Sequence, residues 1–116
     1  MKQSVKEELR EFGINYLVDL QLEENQLRDS ADVHNMIFNM DYYIIGYYEA
    51  NEWLKQHRID VFEGMEYVRE KEDEYFGEAI SKLENSEALV NHIVYFVGMD
   101  LIEEIIEDYK NNFLNN

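Results

Sequence analysis

The chain contains no cysteine, no proline, five glycines and one tryptophan, and sets only ten lysines and arginines against 26 aspartates and glutamates. Without cysteine there is no disulfide framework, no thiolate metal site and no cysteine nucleophile, a profile that fits a reducing cytoplasm. Without proline, helices lose a common stop signal. The formal charge of −16 excludes nucleic acid as a direct partner, because such binding needs a basic footprint, and it excludes an anionic membrane surface on the same ground. No apolar run approaches the ~20 residues that a membrane span needs, the longest being interrupted at Asp41, Glu49 and Asp100. Residues Met1 to Leu20 interleave Lys2, Lys6, Arg10 and Asp19 with the apolar positions, unlike a secretory leader. These absences predict a cytoplasmic protein with no membrane contact.

What is present fits one domain. The 116 residues are 46% hydrophobic, with a mean hydropathy of −0.54, enough to bury roughly two thirds of the unfolded chain's surface. Val5, Leu9, Phe12, Tyr16 and Leu20 recur every three or four residues and predict a first helix, weakened slightly by Gly13. A polar break over Asn25 to Ser30 follows, with Asp29 or Ser30 placed to cap a short second helix through about Met40. Asp41 then caps a third, from Tyr42 to about Arg58, whose stripe of Tyr43, Tyr47, Ala50, Leu54 and His57 is expected to be buried. The run Tyr42 to Ile45 also suits a strand, but the length of the periodic segment favours helix.

Asp60 and Glu63 have capping-box spacing ahead of a fourth helix with Val61, Met65, Val68, Tyr75 and Phe76 on its apolar face and Gly77 as its close. Residues 78–85 read as a turn or short extended piece, and Ser86 as the cap of a last helix. There Val90, Ile93, Val94, Val97, Leu101 and Ile105 keep the rhythm to about Phe113, with a kink expected at Gly98. The asparagines 111, 112, 115 and 116 predict a frayed end. The expected fold class is all-α: a compact single-domain bundle of four to five helices, a single acidic helical domain over residues 1–116.

Enzymatic chemistry finds little support. No Glu-x-x-His pair or His-Glu-x-x-His motif precedes His34, His57 or His92, and no loop has calcium spacing. The four serines lie outside any nucleophile elbow, and the glycines are too dispersed to cradle phosphate. The expectation is no enzyme, no cofactor and no metal, with His34 and His92 structural and Trp53 in the core or at its edge. A carboxylate pair assembled by the fold is the residual enzymatic alternative.

The acids themselves are patterned. Glu63, Glu66, Glu70, Asp73 and Glu74 fall on one face of the fourth helix. Asp100, Glu103, Glu104 and Glu107 repeat the arrangement on the last, and Glu7, Glu8, Glu11 and Asp19 begin another near the N-terminus. Successive members of such a row stand about 4.5–6 Å apart along the helix axis, close to the spacing of phosphates on a nucleic-acid strand. An ordinary helix surface interleaves cations at i+4, whereas only Arg69, Lys71 and Lys110 lie near the two later rows. Such a field costs stability and suits a decoy for a basic groove.

The segment Arg28 to His34, Arg-Asp-Ser-Ala-Asp-Val-His, followed by Tyr42 and Tyr43, resembles the start of the Ocr-type antirestriction proteins of phages. That resemblance implies a small, helical, acidic homodimer that imitates B-form DNA in the DNA channel of type I restriction enzymes. The stretch from Tyr42 to Gly77 is also similar to small uncharacterised proteins of phages and mobile elements. The functional expectation is a DNA-mimic inhibitor of a basic nucleic-acid-binding protein, such as a restriction or CRISPR nuclease, acting through the two later rows. The alternative is a helical interaction module that docks a protein through aromatics drawn from Tyr42, Tyr47, Tyr48 and Trp53, its acids serving only solubility.

Overall fold

The structure, a computed structural model, describes residues 3–27, 31–76 and 85–114. Among the described residues there are five α-helices and no strand: α1 (Gln3–Leu20), α2 (Ala31–Tyr47), α3 (Ala50–Gln56), α4 (Val61–Phe76) and α5 (Ser86–Tyr109). A single 3₁₀ turn (Glu24–Gln26) follows α1, and a π-helical turn (Lys110–Leu114) extends α5. Asn111 and Asn112 are therefore helical rather than frayed, while 115 and 116 lie outside the described residues.

Helix α5 is the axis on which α1, α2, α3 and α4 all pack. Its apolar residues go nearly all the way round: Leu89, Val90, Ile93, Val94, Phe96, Val97, Leu101, Ile105 and Tyr109 are buried, as a helix enclosed on several sides requires. All six residues of the expected α5 stripe are among them. Glycines let helices approach closely, among them Gly98 and Gly13. A Cβ on Gly98 would stand 3.1 Å from Met40 Sδ and 3.3 Å from Ile37 Cγ2 of α2, and one on Gly13 would stand 2.7 Å from Ile105 Cδ1. The α-helix runs unbroken through Gly98, so this glycine serves a crossing and not a break. Asn85, in extended backbone, caps α5 by accepting from the Ala88 N–H at 2.9 Å. Ser86, the expected cap, is the first helical residue.

The middle of the chain departs from expectation. Helix α2 passes straight through Asp41 and ends at Tyr47, because Val33, Met36, Ile37, Met40 and Ile44 form one buried stripe that spans the position. The face bearing Tyr43 and Tyr47 is turned outward, with 47% and 69% of their surface exposed. Helix α3 begins anew at Ala50 and buries Trp53 and Leu54. Asp60 does cap α4, its Oδ1 accepting from the Glu63 N–H at 2.7 Å. Of the expected α4 face, Val68 is fully buried, Met65 is half-buried and Val61 is half exposed. The Tyr75 and Phe76 side chains, Gly77, residues 78–84 and the candidate caps Asp29 and Ser30 lie outside the described residues.

Two helices stop on left-handed residues that are not glycine: Gln21 (φ 53°) after α1 and Arg58 (φ 57°) after α3. Around Arg58 the Ile59 N–H reaches the Leu54 carbonyl at 2.9 Å and the Arg58 N–H reaches that of Lys55 at 3.0 Å, the paired bonds of a Schellman stop. Beyond Gln21, the Leu22 carbonyl accepts a buried hydrogen bond from the Tyr109 hydroxyl at 2.7 Å, tying the exit of α1 to the end of α5.

Candidate functional site

The carboxylates of α4 form a continuous outer face. Glu63, Glu66, Glu70, Asp73 and Glu74 are all exposed, and among the described residues only Glu74 of this row meets a cation, Lys71 at 3.3 Å. Lys71 also reaches Asp100 Oδ2 on α5 at 3.0 Å, so one ammonium stands between the two rows. Burial alone would lower the pKa of this lysine, but the hydrogen bond and charge of Asp100, and then Glu74, hold it above its ordinary range.

The α5 row is divided among its neighbours. Asp100 faces α4 through Lys71, whereas Glu104 pairs with Arg10 of α1 at 3.1 Å. Glu103 and Glu107 border a cleft of about 600 Å³ near the start of α2, shared with Glu24, His34 and Lys110. Lys110 itself turns to Glu24 at 3.2 Å. The cross-helix pairing of Arg10, a residue some ninety positions away, has no local signal in the sequence.

A second feature lies on the opposite element pair. Helix α1 and the outer face of α2 enclose a groove of about 700 Å³ whose lining includes Glu7, Glu8, Glu11 and Asp19 together with Phe12, Tyr16, Tyr43 and Tyr48. The rings form a ladder: Phe12 and Tyr43 are 4.8 Å apart, Tyr43 stacks on Tyr47 at 5.8 Å, and Tyr47 meets Tyr48 edge-on at 4.9 Å. Asn39 donates to the Tyr16 hydroxyl at 3.2 Å and steadies that end. Burial, and then the Glu8 carboxylate, raise the Tyr48 phenol above its ordinary pKa, so it remains a donor.

Glu8 is held from behind by buried His57. The His57 Nδ1 donates to the Trp53 carbonyl at 2.8 Å, and its Nε2 lies 2.5 Å from Glu8 Oε2. Spacing marks only pieces of this groove: the i, i+4 aromatic pairs Phe12–Tyr16 and Tyr43–Tyr47 beside the N-terminal acids.

The other candidates divide between core and surface. Trp53 is fully buried against His57, with ring centroids 4.3 Å apart, which removes it from any docking surface. Tyr42 and Tyr47 are exposed and Tyr48 is half-buried. His92 Nδ1 bonds the Ala88 carbonyl at 2.7 Å, and His34 is exposed on the first turn of α2. Asp41 lies in a pocket of about 360 Å³ with Glu72 and His92. Its Oδ1 has no hydrogen-bond partner among the described residues, and burial raises its pKa from 3.8 to about 7.

Among the described residues no three His, Asp or Glu side chains converge to hold a metal ion, and no helix is long and apolar enough to cross a membrane. No family model, curated protein or solved structure matches the chain.

Proposed function

We propose that this protein is a DNA mimic: a non-enzymatic acidic decoy that occupies the basic groove of a nucleic-acid-binding defence protein, of restriction or CRISPR type, in the host cytoplasm. The observation that carries the reading is the α4 face, where Glu63, Glu66, Glu70 and Asp73 stand exposed without an ion pair among the described residues. Like charges set along a rigid helix and left unneutralised repel one another. A basic groove built for phosphates relieves that repulsion and releases its counterions on binding. Lys71 joins Glu74 to Asp100 and offsets their charge locally, so the unneutralised part of the field is the rest of the α4 row. Glu103 and Glu107 add exposed carboxylates along the second half of α5, where Glu104 is paired with Arg10, and the resemblance to Ocr-type proteins points to the same use.

The test is competition. Labelled duplex DNA bound to a restriction or CRISPR nuclease should be displaced by this protein at low salt, with the displacement falling steeply as salt rises. Displacement insensitive to salt, or none at any concentration, overturns the reading.

A further inference from the structure

We propose that the groove between α1 and α2 is a docking site for an arginine-bearing segment of a protein partner. It stands apart from the carboxylate rows of α4 and α5, because it is lined by the N-terminal acids of α1 and by rings of α1 and α2. Two properties of the groove call for one ligand chemistry. Glu7, Glu11 and Asp19 supply negative charge, and Phe12, Tyr43 and Tyr48 supply ring surface. A guanidinium satisfies both at once, since it is planar, weakly hydrated, stacks on aromatic faces and donates a two-pronged pair of N–H bonds to a carboxylate. An ammonium meets the charge but gives up more hydration and cannot stack.

The groove carries no cation of its own. Among the described residues no lysine or arginine lines it, although Arg10 sits on the same helix, because Arg10 is turned to Glu104 on α5. Glu8 is engaged from behind by His57, which anchors the groove floor and leaves Glu7, Glu11 and Asp19 for the ligand. The volume of about 700 Å³ falls within the range of clefts that take a drug-sized ligand, room for an arginine side chain. Tyr43 on the groove wall keeps 47% of its surface exposed, open to an incoming guanidinium.

Nuclear magnetic resonance titration of the full chain tests this with a blocked Gly-Arg-Gly-Arg-Gly peptide and its lysine counterpart. Shift changes should concentrate at Phe12, Tyr43 and Tyr48, with the arginine peptide binding about threefold tighter or more, the increment of a ring contact at an exposed site. Tyr43→Leu, which keeps an apolar side chain and loses the ring, should weaken the arginine peptide about threefold and erase its advantage over lysine. The double variant Glu7→Gln, Glu11→Gln, at two exposed positions, should weaken both peptides. Amide substitutions along the α4 row should leave the shifts at Tyr43 and Tyr48 in place, so the groove and the rows fail independently. Equal affinity for the two peptides, or shifts spread over α4 and α5, overturns the proposal. So does unchanged binding by the Glu7, Glu11 variant with its helical spectrum intact.

Discussion

Lys71 Nζ on α4 lies 3.0 Å from Asp100 Oδ2 on α5, the one ion pair among the described residues that fastens the two carboxylate-bearing helices together. Lys71→Gln removes the ammonium that Asp100 and Glu74 share. Stability should fall by about 1 kcal/mol at low salt and by less at high salt, as expected of a partly exposed pair. Urea unfolding at two ionic strengths checks both the size and the salt dependence.

Neutralising Glu63, Glu66, Glu70, Asp73 and Glu74 to their amides should separate binding from folding. These side chains are exposed, so their replacement opens no cavity, and the relief of like-charge repulsion should raise the melting temperature at low salt. Displacement of DNA from the target nuclease should be lost. A folded variant that still displaces DNA at parental concentrations would show that the face is merely solvated.

Asp41 predicts a pH dependence of stability. In the native state burial raises its pKa from 3.8 to about 7, so between those values the folded chain holds a proton that the unfolded chain has released. Stability from this group therefore falls as pH rises through that window, and the whole penalty is present above it. Asp41→Asn removes the penalty. The variant should be more stable than the parent at pH about 8, by about 1–2 kcal/mol once solvent screening of a half-buried group is allowed for, and equal to it near pH 4. Thermal melts across that range provide the check.

Gln21 holds a left-handed conformation (φ 53°) at the exit of α1, where its N–H bonds the Leu17 and Val18 carbonyls, each at 3.1 Å. An L-residue with a Cβ pays about 1–2 kcal/mol there, partly offset in glycine by the greater freedom of its unfolded chain. Gln21→Gly should stabilise the protein by about 0.5–1 kcal/mol, read as a higher denaturant midpoint with an unchanged slope.

The all-helical character, and α5 above all, is legible from spacing alone, because a buried helix repeats its apolar residues too often to be mistaken. The α2–α3 boundary is not. Tyr43 and Tyr47 share one face of α2 while Met36, Met40 and Ile44 share another, and both are apolar; only the packing of α5 decides which turns inward. The shared ammonium of Lys71 and the Arg10–Glu104 pair depend on tertiary juxtaposition, so the rows are readable as patterns while their cross-links are not. The groove joins α1 to α2 across the turn between them, and no local pattern marks its two walls as neighbours.

Because α5 is the common partner of the other four helices, the order of synthesis becomes a constraint on assembly. Residues 3–76 leave the ribosome before the helix on which they rest, and apart from α1 against α2 their principal packing is with α5. Until residues 85–109 emerge, Ile44, Leu54 and Val68 have no central helix to cover them, and a nascent chain of that length displays sticky surface. Completion of the core thus waits for α5, and a ribosome stalled before it would present the quality-control machinery with an unfinished chain.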